Sequence, residues 1–106
     1  MKKVIVAPEA PAAIGPYSQA VQVGDLLFVS GQLGLDPATG KWVEGGAGEQ
    51  AAQAFKNISA ILSAAGYVLQ DIVKTTVFLA DMADFAAVNE VYAARFAGDF
   101  PARSAV

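Results

Sequence analysis

The first third of the chain alternates short β-prone runs with turn residues. Residues 4–6 (VIV) predict a strand that ends at a proline-rich loop over residues 8–16, because proline cannot donate a ladder hydrogen bond. Two more β-prone runs, residues 19–23 and 26–30, are separated by Gly24-Asp25. Since glycine at the first position of a two-residue connection favours a type II′ turn, this pattern predicts a β-hairpin.

Helical periodicity replaces this pattern in the middle of the chain. Residues 33–48 are punctuated by glycine and by Asp36-Pro37, which predicts a loop with a short strand at Trp42-Val43. From Glu49 onward, apolar residues recur at spacings of four and three, which is one stripe of an α-helix that Gly66 ends. The stripe consists of Ala51, Phe55, Ile58, Leu62 and Ala65, with Gln53, Lys56, Asn57 and Ser63 expected outside it.

A strand and a second helix complete the pattern. Residues 72–80 are β-branched and alternating, which predicts a strand. Its two faces are expected to be Val73, Thr75, Val77 and Leu79 on one side and Lys74, Thr76 and Phe78 on the other. Asp81 or Asp84 suits the N-cap of the following helix, and Gly98 suits its end. The buried stripe of that helix is predicted to be Phe85, Val88, Tyr92 and Phe96.

The element order is therefore β-β-β-α-β-α in one domain over residues 1–106, an α+β sheet covered by helices. Residues 103–106 read as the start of a further strand. Because a strand typically has ~5–6 residues, we expect the C-terminal strand to be incomplete here and the chain to be truncated at Val106.

Composition narrows the possible functions. The chain is 55% hydrophobic and 16% charged, where ~25% charge is ordinary. Two explanations stay open for this surplus: simple alanine richness, or a homo-oligomer that hides apolar surface between subunits. No run of apolar residues approaches membrane length or the core of a signal peptide, so we expect a cytoplasmic protein without membrane contact.

Missing residue types exclude several chemistries. With no histidine and no cysteine, the chain has no Ser-His-Asp or Cys-His nucleophile pair, structural zinc site or dithiol couple. No metal or cofactor is expected. A net charge of -3 with seven scattered basic residues argues against a nucleic-acid partner.

Two glycine motifs resemble ligand-binding patterns but are better explained as turns. Residues 46–51 match G-x-G-x-x-A, yet no buried strand precedes them as a dinucleotide site requires. Residues 31–34 match a GxxG nucleic-acid clamp, yet they follow a strand and have no basic neighbours. Neither motif predicts a site.

Arg103 is the strongest candidate for chemistry. It lies between Pro101 and the incipient strand, where a loop can hold a guanidinium fork for a carboxylate. An arginine that forms an intersubunit salt bridge is the competing interpretation.

Five motifs in order, AAIGPYSQ (residues 12–19), FVSGQ (28–32), DIVKTTVF (71–78), FAAVNEVY (85–92) and FPARSAV (100–106), closely resemble the RidA (YjgF) family. The resemblance implies a chorismate-mutase-like α+β fold, a mixed sheet covered on one face by two helices, assembled as a homotrimer with sites between subunits. It also implies hydrolysis of reactive enamines and imines, such as 2-aminoacrylate, to 2-keto acids and ammonia.

The resemblance also assigns site residues. Arg103 stands at the family's catalytic-site arginine, which captures the substrate carboxylate; the substrate-binding positions are Tyr17, Ser30, Gly31, Asn89 and Ala105. An imino acid hydrolyses unaided, so positioning, complementary charge and an oriented water suffice without a nucleophile, metal or cofactor.

The chain departs from the family at two points. Ala105 replaces the usual cysteine, and the family's water-orienting glutamate would lie beyond Val106. The missing glutamate keeps one alternative open, a non-catalytic trimer that binds small carboxylic acids. A chaperone-like member of the family is a further alternative, because the apolar surplus would suit that role.

Overall fold

A computed structural model describes all 106 residues. The N-terminal part is a three-stranded antiparallel sheet of β1 (Lys2–Ile5), β2 (Ala20–Val23) and β3 (Leu26–Val29), in the order β1-β2-β3. The predicted hairpin is confirmed, with Val23 paired to Leu26 across a two-residue turn. Gly24 has φ +58° while Asp25 keeps a negative φ, a combination of signs that fits type II′ and not type I′.

The first helix, α1, spans Ala47–Ala64 and has a defined cap at each end. At the start, Glu49 Oε1 accepts a hydrogen bond of 2.7 Å from the Gly46 N–H, so the helix begins two residues earlier than the periodicity suggested. At the end, Gly66 adopts φ +84° and its N–H donates to the Ser63 carbonyl at 3.1 Å. Gly66 therefore ends the helix as predicted, because only glycine adopts this backbone conformation freely.

One side chain expected outside the apolar stripe of α1 is buried. Asn57 is only 1% exposed, and its Nδ2 donates to the carbonyls of Leu33 (3.1 Å) and Leu35 (3.0 Å). Its Oδ1 accepts a hydrogen bond of 3.0 Å from Gln53 Nε2. The expectation was wrong because residues 33–35 fold back over this face of α1 and supply backbone acceptors, which helical periodicity does not show.

The second ladder is parallel and consists of β4 (Lys74–Val77) and β5 (Ala102–Ala105). β4 is shorter than the predicted strand 72–80. Thr75, Val77 and Leu79 are half-buried, as expected, and the alternate side chains are exposed. Val73 was expected on the inner face but is 77% exposed. It precedes the first residue pair of the β4–β5 ladder, so the alternation of side chains along β4 does not extend to it. The short strand expected at Trp42-Val43 is reduced to one bridge between Trp42 and Leu35.

The second helix, α2, spans Phe85–Ala94. A 3₁₀ turn over Met82–Asp84 precedes it, and Asp81 caps that turn, its Oδ1 accepting from the Ala83 N–H at 2.9 Å. Of the two N-cap candidates, Asp81 therefore makes a side-chain cap, although for the turn and not for α2. Gly98, at φ +92°, follows the helix as predicted.

Two apolar clusters hold the fold together. One lies between the antiparallel sheet and α1 and contains Ile5, Ala7, Ala10, Ala20 and Ile61; the other joins α1 to α2 and the segment after it through Phe55, Tyr92 and Phe96. The predicted α+β class with two helices over the strands is confirmed. Neither helix is long and apolar enough to cross a membrane.

Candidate functional site

Arg103 projects from β5 onto one face of α2. Its Nη1 donates a hydrogen bond of 2.7 Å to Asn89 Oδ1. Its Cζ lies 4.7 Å from the centroid of the Tyr92 ring and 5.4 Å from that of Phe85. Both distances fall within the ~6 Å range of cation–π interactions, so the guanidinium is held by one hydrogen bond and two aromatic faces.

The helix presents these three partners together because of its period. Phe85, Asn89 and Tyr92 stand at i, i+4 and i+7, which places them on the same side of α2. We refer to these three residues as the arginine cradle. The apolar stripe of the helix predicts Phe85 and Tyr92 as core residues only; the signal for their second role is the spacing of two aromatic residues around an asparagine.

The guanidinium keeps its charge available. Its hydrogen-bond partner is the neutral amide of Asn89, and no carboxylate of this chain is hydrogen-bonded to it. An arginine has five N–H donors, so most of the donors of Arg103 are free for a ligand. A guanidinium with a free edge binds a carboxylate through two parallel hydrogen bonds, which makes this part of the molecule suited to a small organic acid.

The β5 backbone adds a further donor beside Arg103. The N–H groups of Ala102 and Val106 donate to the carbonyls of Val73 and Val77 on the β4 side. Because N–H groups alternate in direction along a strand, the Ala105 N–H points toward the other edge of β5, which has no neighbouring strand in this chain. Ala105 therefore retains the backbone group needed for a binding role although it lacks a thiol.

A second group of predicted residues lies at the end of β3. Ser30 is half-buried; its Oγ donates to the Ser18 carbonyl at 2.6 Å and its N–H donates to the Gln19 carbonyl at 3.0 Å. Gly31 follows, and nothing lies within 4 Å of where a Cβ would be. Tyr17 is 51% exposed, and its hydroxyl accepts a long hydrogen bond of 3.4 Å from the Ile14 N–H.

Gln19, which was not predicted as a site residue, fixes the loop that carries Tyr17. Gln19 is only 6% exposed. The Oε1 accepts from the Ala7 N–H at 2.7 Å, and Nε2 donates to the carbonyls of Ala7 (3.1 Å) and Pro11 (2.8 Å). The backbone groups of a loop that is not paired in a sheet need side-chain hydrogen bonds instead. The only feature of the sequence that points to this role is a glutamine next to the proline-rich stretch.

Within one chain, the predicted site residues form two groups that are not connected by hydrogen bonds. Arg103 and Asn89 form one group, and neither is hydrogen-bonded to Tyr17, Ser30 or Gly31, which form the other. Two hollows lie elsewhere on the surface: a groove of about 470 Å³ between α1 and α2 and one of about 260 Å³ beside Ala7 and Pro8. Arg103 lines neither hollow, and no cluster of three or more His, Cys, Asp or Glu side chains has the geometry to hold a metal ion.

Comparisons with known proteins place this geometry in a family. The family model described as Endoribonuclease L-PSP matches residues 7–106. The mouse 2-iminobutanoate/2-iminopropanoate deaminase is 57% identical over 105 residues, which are 99% of this chain and 78% of the mouse protein. The crystal structure of RidA from an Antarctic Psychrobacter is similar with a TM-score of 0.94 and 51% identity, over 98% of this chain and 84% of that one. The crystal structure of a putative endoribonuclease from Thermotoga maritima is similar with a TM-score of 0.96 and 50% identity, over 100% of this chain and 84% of that one.

Proposed function

This chain belongs to the RidA family of the Endoribonuclease L-PSP group, and from that membership we propose that it is a deaminase of reactive 2-imino acids. The substrates are the enamine and imine forms of small 2-amino acids, such as 2-aminoacrylate and 2-iminopropanoate, and the products are the 2-keto acid and ammonia. The observation that carries the proposal is the unneutralised guanidinium of Arg103, held in the arginine cradle with free donors.

The reaction needs no nucleophilic side chain. An enamine first takes a proton at carbon and becomes the protonated imine. Water adds to the carbon of the C=N bond, a proton passes from the added oxygen to the nitrogen, and the C–N bond breaks so that ammonia leaves. The oxygen gives up its remaining proton to the ammonia as the C=O bond of the keto acid forms. The protein contributes by holding the substrate in one orientation and by stabilising charge. Arg103 captures the carboxylate, and the Asn89 amide, whose oxygen is already used by Arg103, has two N–H donors for polar atoms of the substrate.

The remaining predicted residues complete the site in this proposal. Tyr17 closes the pocket over the small side chain of the substrate, and the backbone groups near Gly31 and Ala105 hold polar atoms of the intermediate. Ser30 supports the Gly31 backbone through its hydrogen bonds to residues 18 and 19. No resident metal or cofactor takes part.

We further propose that the site forms between subunits of a homotrimer. The isolated chain exposes 6857 Å², where a folded monomer of this mass exposes ~5,600 Å². Large apolar side chains such as Phe28, Trp42 and Phe78 are more than half exposed, which favours an oligomer over simple alanine richness. Assembly would let Tyr17, Ser30 and Gly31 of one subunit face the arginine cradle of its neighbour. Light scattering should then give three times 10.9 kDa.

A second candidate is a trimer that binds small carboxylic acids without turnover. It is favoured by one observation: the groups around the Arg103 guanidinium are Asn89, Phe85 and Tyr92, none of which is a general base at neutral pH. Both candidates imply a protein without a nucleic-acid partner, because a chain with seven basic residues and no histidine is poorly suited to cleave RNA. A cytoplasmic location is part of the proposal for both.

The test measures keto acid release above the spontaneous rate, with 2-iminopropanoate generated in place by an amino acid oxidase acting on alanine. Losing a bidentate, charge-assisted contact costs roughly 1.5–3 kcal/mol, so Arg103→Ala should lower kcat/KM by ~10- to 150-fold. Arg95→Ala, which removes the arginine after α2, is the matched control and should stay within two-fold. If the wild-type protein binds pyruvate but does not accelerate hydrolysis, the binding-only candidate is correct. If Arg103→Ala equals the wild type in both assays, the site assignment is wrong.

A further inference from the structure

We propose that Thr75 and Tyr92 form a positioning pair that fixes the plane of the Arg103 guanidinium, so that a hydroxyl that does not touch the ligand sets the affinity for its carboxylate. The inference rests on the proposed function, because it concerns how the same site holds a 2-imino or 2-keto acid.

The first observation is a hydrogen bond behind the arginine. Tyr92 is only 5% exposed, and its hydroxyl lies 2.7 Å from Thr75 Oγ1. Thr75 is the residue of β4 that pairs with Arg103 on β5. Paired residues of adjacent strands point to the same face of a sheet, so Thr75 and Arg103 stand side by side and Tyr92 contacts both.

The second observation is that the Tyr92 ring has little freedom left. Its centroid is 5.6 Å from that of Phe55 at an interplanar angle of 73°, and 5.1 Å from that of Phe96 at 46°. These two rings confine the body of the side chain, and the hydrogen bond to Thr75 confines its polar end. The face presented to Arg103 is therefore fixed in place and in tilt.

Arg103 needs this support because it has few anchors of its own. It is exposed in the isolated chain, and its long side chain has many rotamers to lose when it is ordered. One hydrogen bond, to Asn89, leaves rotation about that contact free. The Tyr92 ring, whose centroid lies 4.7 Å from Cζ, is the nearer of the two aromatic faces and restricts this rotation, and an arginine that is already oriented binds a carboxylate with a smaller loss of entropy.

The test compares variants that remove one hydroxyl and keep the packing. Thr75→Val and Tyr92→Phe should each raise the Kd for 2-oxobutanoate in a calorimetric titration, and the KM in the deaminase assay, by about 3- to 10-fold, with kcat changed less than two-fold. The double variant should be no weaker than the weaker single variant, because either substitution already breaks the shared hydrogen bond. Thr75→Ser, which keeps the hydroxyl, should restore wild-type affinity.

Thr76→Val is the control: Thr76 lies next to Thr75 in β4, but its Oγ1 accepts from Lys74 and not from Tyr92. It should bind 2-oxobutanoate within two-fold of wild type. The inference is overturned if Thr75→Val binds as tightly as the wild type while Arg103→Ala has lost binding, if Thr76→Val weakens binding equally, or if the two single effects multiply in the double variant. Wild-type binding by Arg103→Ala would instead overturn the proposed function.

Discussion

Replacing the buried Asn57 by aspartate should lower the free energy of unfolding of this protein. The Asn57 Nδ2 donates to the carbonyls of Leu33 and Leu35 at 3.1 and 3.0 Å. The substitution keeps the shape but replaces both N–H donors with an acceptor oxygen that faces two carbonyls. It also places a carboxyl group where only 1% of the residue is exposed.

The magnitude follows from the groups left without partners. The hydrogen bonds to the Leu33 and Leu35 carbonyls are part-buried, so each carbonyl that loses its donor costs about 1 kcal/mol, the lower end of the range for buried groups, and burial of the new carboxyl group adds to this loss of about 2 kcal/mol. That is a large share of the ~5–15 kcal/mol by which domains are stable. Asn57→Ala should lose nearly as much, since it removes the same donors. Lys56→Ala, on the exposed neighbouring position, should change stability by less than ~0.5 kcal/mol.

Urea unfolding is followed by tryptophan fluorescence at one fixed protein concentration, because the proposed assembly would make stability depend on concentration. The chain has one tryptophan, Trp42, which bridges to Leu35 within the loop that Asn57 holds. The midpoint should fall for both Asn57 variants and stay constant for Lys56→Ala. If Asn57→Asp unfolds at the wild-type midpoint, the two hydrogen bonds are not part of the native structure and the reasoning fails.

Two further predictions follow from single contacts. Gln19→Glu removes the donors to the Ala7 and Pro11 carbonyls and should destabilise the protein by roughly 2 kcal/mol or more. It should also increase limited proteolysis within residues 8–16. Unchanged proteolysis would show that Gln19 does not hold this loop. Gly66→Ala places a side chain at φ +84° and should lower stability by about 1 kcal/mol in thermal unfolding. Gly48→Ala is the control, because Gly48 lies inside α1 and a Cβ there meets nothing closer than 3.9 Å; an equal loss for the two substitutions would contradict the backbone argument.

Local pattern accounted for most of the elements. The hairpin, both helices and the strand β4 were predictable because periodicity and turn residues express the conformations of neighbouring residues. Boundaries were less accurate: β4 is five residues shorter than residues 72–80, since its ends depend on how far β5 pairs with it. The core was predictable in part: Phe55 and Tyr92 lie in the predicted stripes and are buried, whereas Ile61, at 0% exposed, lies outside the predicted stripe of α1, and the buried polar side chains of Asn57 and Gln19 were not predicted.

The arrangement of the candidate site could not be predicted from the sequence. The family resemblance predicts Arg103 and Asn89 as site residues, and that assignment stays a prediction; the hydrogen bond between them joins β5 to α2 across fourteen positions of sequence. The role of Thr75 was also hidden, because it depends on strand register with Arg103 and on a hydroxyl contact seventeen positions away.

Residue identity and local spacing were enough to predict the type and order of the main elements, to exclude histidine and cysteine chemistry, and to identify the family. They could not show which buried polar groups find partners, or that a charged side chain from the last strand lies against Asn89 and Tyr92 of α2. Hydrogen bonds and aromatic contacts act over a few ångströms in space, and residues distant in the chain come within that range only when strands pack against helices.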